Sequence, residues 1–177
     1  MQKKLIVFAS KFVGLYLFLN LLYLLWINFL VEKIDVISEW VAMVSQKLLL
    51  MLGYDVTLVH SDLHPRILFY YNNVNYITVS EGCNGVSVMI TFFASILSFR
   101  GAAKSKVLFL SIGLLGVFLL NVLRVSSLFY VALNHQQWFS FLHEYAFTAL
   151  IYTLIFLLFI FWVNKYGGSN FKDDATQ

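Results

Sequence analysis

The chain has 177 residues, of which 60% are hydrophobic and 12% charged, with a formal net charge of +3. A soluble domain carries about a quarter charged residues, so this composition cannot cover a water-facing surface and excludes an ordinary soluble globule. The lysines sit at the ends of apolar runs rather than in a basic cluster, which argues against nucleic acid as a partner. The single cysteine, Cys83, excludes an internal disulfide and a CxxC motif.

In chain order, Met-Gln-Lys-Lys opens an apolar run that reaches residue 31. The run is too long for a signal-peptide core and has no small-x-small cleavage site, so it reads as a retained signal-anchor helix, spanning roughly residues 12–31. Segment 32–82 follows. Its first part, 38–52, places Trp40, Val41, Val44, Leu48 and Leu52 at helical spacing. At this length it predicts an interfacial helix rather than a span, capped by Gly53. Stretches 54–60, 66–71 and 74–79 are rich in β-branched and aromatic residues and predict a small β-meander. Asn72-Asn73 supplies one tight turn, and residues 61–65, ending in Pro65, another. Three more spans are expected at 84–99, 107–130 and 141–163, long enough or nearly so to cross a bilayer. Only helices suit such isolated spans. The polar tail 167–177 is expected to be disordered.

The expected fold class is therefore an all-α membrane bundle of about four transmembrane helices with an interfacial helix and an extracytoplasmic β-meander. Residues 1–166 form its single domain. Basic residues orient it. Lys3, Lys4, Lys11, Arg100, Lys104, Lys106, Lys165 and Lys172 fall on one side, and Glu32, Asp35, Glu39, Asp55, Asp62, Glu81 and Glu144 on the other. Both termini are expected in the cytoplasm.

Three polar residues stand at the outer ends of three different spans. Cys83 precedes the second span, ~26 Å from Arg100 at helical rise; Arg124 lies ~27 Å above Lys106, and His143 ~33 Å above Lys165. Packed helices would bring them together. A thiol attacks as its thiolate, a form that helix N-termini and neighbouring cations favour. His143 is the natural proton carrier, and Arg124 can steady an oxyanion or hold a carboxylate. Gly82 and Gly85 flank the thiol and would let a substrate backbone approach. Asn121 lies one turn before Arg124 on the same face and is expected to support it. Taken singly, each has a plainer role: Cys83 as small packing, His143 as an interfacial cap, Arg124 as a snorkelling cation. A charge inside a span is nonetheless functional by default.

Other polar groups rank lower. His60 and His64 have metal-ligand spacing but sit in a turn before Pro65, which reads as a solvated loop. His135 has no evident partner. No metal or cofactor is expected.

The blocks Glu81-Gly-Cys-Asn-Gly-Val86, Asn121-Val-Leu-Arg-Val125 and His143-Glu-Tyr-Ala146 resemble the three signatures of the exosortase/archaeosortase family. The resemblance covers residues 79–163. The compact length and the Cys-Asn-Gly form are similar to the small flavobacterial type, exosortase F. The usual block reads Cys-Ser-Gly, and many members carry Gly where this chain has Phe147. The resemblance implies a membrane-embedded cysteine peptidase or transpeptidase. Its implied nucleophile is Cys83, with Arg124 and His143 as catalytic partners. Its implied substrates are secreted proteins with a C-terminal sorting signal, and the acceptor is unspecified. It further implies a bacterial inner-membrane location with the site facing outward. A non-enzymatic scaffold whose polar residues lock helices is the alternative. A channel or carrier would need polarity through the full depth of the spans, and here it concentrates at one end.

The charge asymmetry makes a testable prediction. In a Cys83→Ala background, a cysteine introduced at Lys104 should stay unlabelled by an impermeant maleimide in intact cells; labelling from outside would overturn the orientation.

Overall fold

The computed structural model describes residues 2–30, 34–61, 64–99 and 101–166. Helix α1 (Gln2–Leu30) leads to α2 (Val36–Met51), then strands β1 (Thr57–His60), β2 (Ile67–Tyr71) and β3 (Val74–Val79). A 3₁₀ turn at Glu81–Cys83 precedes α3 (Val86–Ser98) and the long α4 (Ala103–Asn134). A second 3₁₀ turn (Gln136–Trp138), a single turn α5 (Phe139–Phe141), a π turn (Leu142–Ala146) and α6 (Phe147–Tyr166) complete the chain. Glu32, Asp62, Arg100 and the tail 167–177 lie outside the described residues.

Among the described residues, three helical stretches are long and apolar enough to cross a membrane: Leu5–Phe29, Ala103–Asn134 and Gln136–Lys165. The expected span at 84–99 is a shorter apolar helix of 13 residues, ~20 Å at helical rise. Two local features shorten it. Gly85 takes φ +80 and delays the first helical residue to Val86, and Phe99 is already extended. The other spans run longer than the hydropathy alone suggests, because Lys11 and Lys104 sit within helices without breaking them.

The meander is an antiparallel sheet in the order β1-β2-β3. Asn72 and Asn73 both take positive φ (49° and 62°), the pairing a two-residue type I′ hairpin requires. A register irregularity lies between Phe69 and Tyr70. Alternation along the strands sends Ile67, Phe69, Ile77 and Val79 to one buried face.

That face meets α2 and the outer half of α4, forming one apolar core around Val41, Leu49, Phe69, Val125 and Phe129. Aspartate 35 caps α2, its carboxylate accepting from the Ile37 and Ser38 amides. Helix α2 lies against α4, where the Ser45 hydroxyl donates to the Val122 carbonyl at 3.4 Å. A second core sits around the inner half of α4, joining Phe92 and Ile96 of α3 to Ile151, Ile155 and Trp162 of α6. Helix α1 docks on α3, with Phe8 meeting Phe99 and Phe159. Leu5, Leu17, Leu108, Leu115, Phe156 and Phe161 stay exposed, the outer surface lipid requires of helices with no further protein partner.

Helices α3 and α4 approach at Gly113. A Cβ there would lie 2.3 Å from the Phe92 ring, and Phe92 is fully buried and cannot swing away. Gly113→Ala should therefore destabilise the bundle by ~1–3 kcal/mol, the cost of overpacking. Gly116→Ala, where a Cβ meets nothing within 4 Å, should be neutral or slightly stabilising. Unfolding in detergent, monitored for both variants, checks the pair.

Candidate active site

The strand β3 runs straight into the 3₁₀ turn that carries Cys83, and the turn is closed by a bond from the Cys83 amide to the Ser80 carbonyl at 2.8 Å. On the other side of the thiol, the Cys83 carbonyl accepts from Asn121 Nδ2 at 2.9 Å. The Cys83 position is thus tied to both the sheet and α4. Gly85 is required here for two reasons. Its φ of +80 suits glycine, and a Cβ would sit 3.2 Å from Asn121 Cγ. Gly82 has open space around it instead, so no protein neighbour demands a glycine there.

Histidine 143 lies in the π turn that opens the last span. Such wide turns shift one residue out of the regular helical ladder and recur at functional sites. Its ring stacks on Phe139, one turn earlier, at 5.7 Å and nearly parallel. This fixes the ring plane, and Nε2 comes to 3.5 Å from Cys83 Sγ. Arginine 124 projects from α4, and its Nη2 donates to the His143 carbonyl at 3.3 Å. Its Nε is buried with no partner among the described residues, and so is Asn121 Oδ1.

Cys83, Arg124 and His143 line one small cleft of about 30 Å³ together with Ile77, Thr78 and Val79 of β3. That volume holds a water or two and leaves the thiol, the imidazole and the guanidinium in a mostly apolar surround. Glutamate 81, which opens the Cys83 turn, has its carboxyl pKa pushed upward by partial burial and then by the Asp35 charge. The structure therefore brings together Cys83, Arg124 and His143, as their spacing predicts, and joins Asn121 to them through its bond to the Cys83 carbonyl rather than as a support for Arg124. It leaves the other histidines apart from this cleft: His60 faces Glu39 at 4.0 Å, and His135 packs edge-on to Tyr130.

A family model of transmembrane exosortases (Exosortase_EpsH) matches residues 5–161. The chain belongs to the transmembrane exosortase family. Comparison with curated proteins and with solved structures gave no match. Membership and the three long apolar helices together make this exosortase a multi-pass membrane protein.

The exosortase site also contains residues that spacing did not reveal. Asn84, only 1% exposed, donates from Nδ2 to the Tyr23 hydroxyl at 2.9 Å and lies 3.3–3.4 Å from both Asp35 oxygens. Its Oδ1 accepts from the Val86 amide at 3.0 Å, steadying the start of α3. Asp35, equally buried, also accepts from the Ser38 hydroxyl. The Cys83 turn is thereby pinned to α1 and to the start of α2. Asp35 stands just before an apolar helical pattern, the usual N-cap signal; nothing in the sequence links it to a residue 49 positions away.

Asn84→Asp would remove a donor and set two buried carboxylates side by side. The expected result is a loss of ~1–3 kcal/mol, the cost of unsatisfied buried polar groups, together with a changed rate of Cys83 alkylation. Adding Asp35→Asn restores one donor and one carboxylate and should recover most of both. A double variant no better than the single would show that the contact does not hold the turn.

Proposed function

We propose that this exosortase-family protein is a membrane-embedded cysteine transpeptidase or peptidase acting on secreted proteins that carry a C-terminal sorting signal. The observation that carries this reading is the 3.5 Å approach of Cys83 Sγ and His143 Nε2 in a cleft also lined by Arg124. A nucleophile and a base within such reach, the base oriented by a third group, is the general arrangement for covalent acyl transfer. Here Phe139 orients the imidazole.

In this reading His143 takes the thiol proton, and the Cys83 sulfur attacks the scissile carbonyl. The carbonyl oxygen becomes an oxyanion, which the partnerless N–H at Arg124 Nε is suited to receive. The C–N bond then breaks, the leaving amine takes its proton from His143, and a thioester remains on Cys83. A second nucleophile, an acceptor or water, gives its proton to His143 and attacks the thioester, returning the free thiol. No metal or cofactor enters. The reading puts the site at the extracytoplasmic face of a bacterial inner membrane with both termini in the cytoplasm, on the strength of the basic-residue asymmetry.

One observation favours the scaffold alternative: Arg124 and Asn121 each spend a donor on a backbone carbonyl of another segment, at His143 and Cys83. Substitution separates the two. Cys83→Ala should abolish processing while leaving the protein inserted, and Cys83→Ser should be very weak, since a hydroxyl is far less ionised near neutral pH. Normal processing by either variant, in a strain lacking other such enzymes, would remove the enzymatic reading.

Arg124→Lys is the complementary test. An ammonium keeps the charge but not the guanidinium fork, so turnover should fall roughly 10²-fold, the scale for one lost oxyanion donor. Insertion should persist. Near-normal cleavage would refute the donor role, and joint loss of insertion and cleavage would favour the scaffold.

A further inference from the structure

We infer that the outer edge of β3 is the docking rail for the substrate's extended backbone, through the main-chain N–H and C=O of Thr78. This rests on the reading of Cys83 as nucleophile and specifies how the chain to be cut is held against it.

The register of the sheet determines which way each β3 peptide group points. The Ser61 amide donates to the Arg66 carbonyl at 3.0 Å, so Ser61 and Arg66 are a hydrogen-bonded pair. Hydrogen-bonded and non-bonded pairs alternate in antiparallel sheets. Val59 and Leu68 are therefore the next bonded pair, and Leu68 turns its peptide groups toward β1. Ile67 and Phe69 turn theirs the other way, to Val79 and Ile77 of β3. The two-residue hairpin at Asn72-Asn73 agrees, since it closes on Tyr71 and Val74 as a bonded pair. Thr78 lies between Ile77 and Val79, opposite Leu68, so its own N–H and C=O point away from β2. Among the described residues no backbone group bonds to them. β3 is an edge strand with nothing paired beyond it.

That free edge borders the candidate active site. Side chains along a strand alternate between faces, yet three consecutive residues, Ile77, Thr78 and Val79, line the cleft shared by Cys83 and His143. A strand that contributes consecutive residues borders a cavity with its edge rather than with one face. The same strand then continues into the nucleophile turn four residues on. A peptide laid along the edge runs toward the thiol. Edge addition gives affinity through main-chain bonds, with side-chain pockets left to set specificity. The occupant is an extended polypeptide segment next to the scissile bond.

The test uses the purified full-length protein and acetyl-tetrapeptidyl chloromethyl ketones of mixed sequence as probes. The Cys83 sulfur displaces chloride from the probe, forming a thioether that mass spectrometry locates. Three further pools carry a single N-methyl group at the first, second or third amide back from the reactive residue. Iodoacetamide is the small control reagent. An edge-bound strand shows only alternate amides to the rail, so N-methylation of one parity should slow alkylation about tenfold or more. Methylation of the other parity should leave the rate within about twofold. Thr78→Pro, which removes the outward N–H while leaving the β2 pairing positions alone, should lower the ratio of peptide to iodoacetamide rates.

Equal rates for all pools, with iodoacetamide still modifying Cys83, would overturn the edge proposal and leave the nucleophile reading intact. Equal rates accompanied by a dimer that Thr78→Pro converts to monomer would assign the edge to a second copy of the chain and also overturn it. A Cys83 inert to every reagent would overturn the nucleophile reading, and the edge proposal with it.

Discussion

Asn84 must satisfy a buried primary amide, and it does so with three separate parts of the chain. Its donor nitrogen reaches Tyr23 on α1 and Asp35 at the cap of α2, while its oxygen takes the Val86 amide at the head of α3. An unpaired amide at that depth would cost on the order of 1–3 kcal/mol. The three segments are therefore held together by satisfaction of polar groups rather than by apolar area, which among lipid tails gives little preference for one packing over another. Because Asn84 adjoins Cys83, the same bonds that assemble the helices set the height of the thiol. Asp35 is fastened in turn by two amides and the Ser38 hydroxyl, so the anchor does not drift with α2.

The long helix α4 divides the work. Its inner half meets α3 and α6 in a core of aromatic and aliphatic side chains, with the Trp162 ring tilted 40° against Phe109 at 4.9 Å. Its outer half carries α2 and the sheet. Asn121 and Arg124 fall where one core gives way to the other. There a polar side chain can reach the nucleophile turn on one side and the π turn on the other without leaving the bundle. The charge of Arg124 is costly in such surroundings, and its bond to the His143 carbonyl satisfies one donor. Its buried Nε has no partner among the described residues, a condition it shares with Asn121 Oδ1.

Much of this was legible from residues alone. Strand boundaries followed β-branched and aromatic runs, and Asn72-Asn73 took the turn its side chains favour. The convergence of Cys83, Arg124 and His143 followed from counting helical rise between charged ends. Other features were not legible. Hydropathy counts apolar residues and is blind to the backbone, so the turn at Gly85 that cuts α3 short did not register. Nor could periodicity find contacts between distant segments: Tyr23 and Asn84 are 61 positions apart, and the ring of Phe92 against Gly113 pairs two residues unremarkable in their own helices. The π turn at His143 is likewise a property of packing, since no residue type demands it.

The shortness of α3 bears on how the cleft is built. A helix of ~20 Å does not match a hydrocarbon layer of ~30 Å, whereas α4 continues ten residues past Arg124 to Asn134, ~15 Å further at helical rise. The Cys83 turn, bonded to Asn121, therefore stands recessed from the Asn134 end of α4. The meander rests its buried face on Val125 and Phe129 of that same stretch of α4, and Ile77, Thr78 and Val79 of β3 line the cleft with Cys83. The thiol lies beside β3 in a mostly apolar cleft, where a low dielectric strengthens any charge-assisted contact made there. The turn at Glu81–Gly85 is shaped by Gly85, with its φ of +80, and by Asn84, whose Oδ1 accepts from the Val86 amide. Recess and clamp go together: the helix beside the thiol starts only at Val86, and Asn84 holds that start in place.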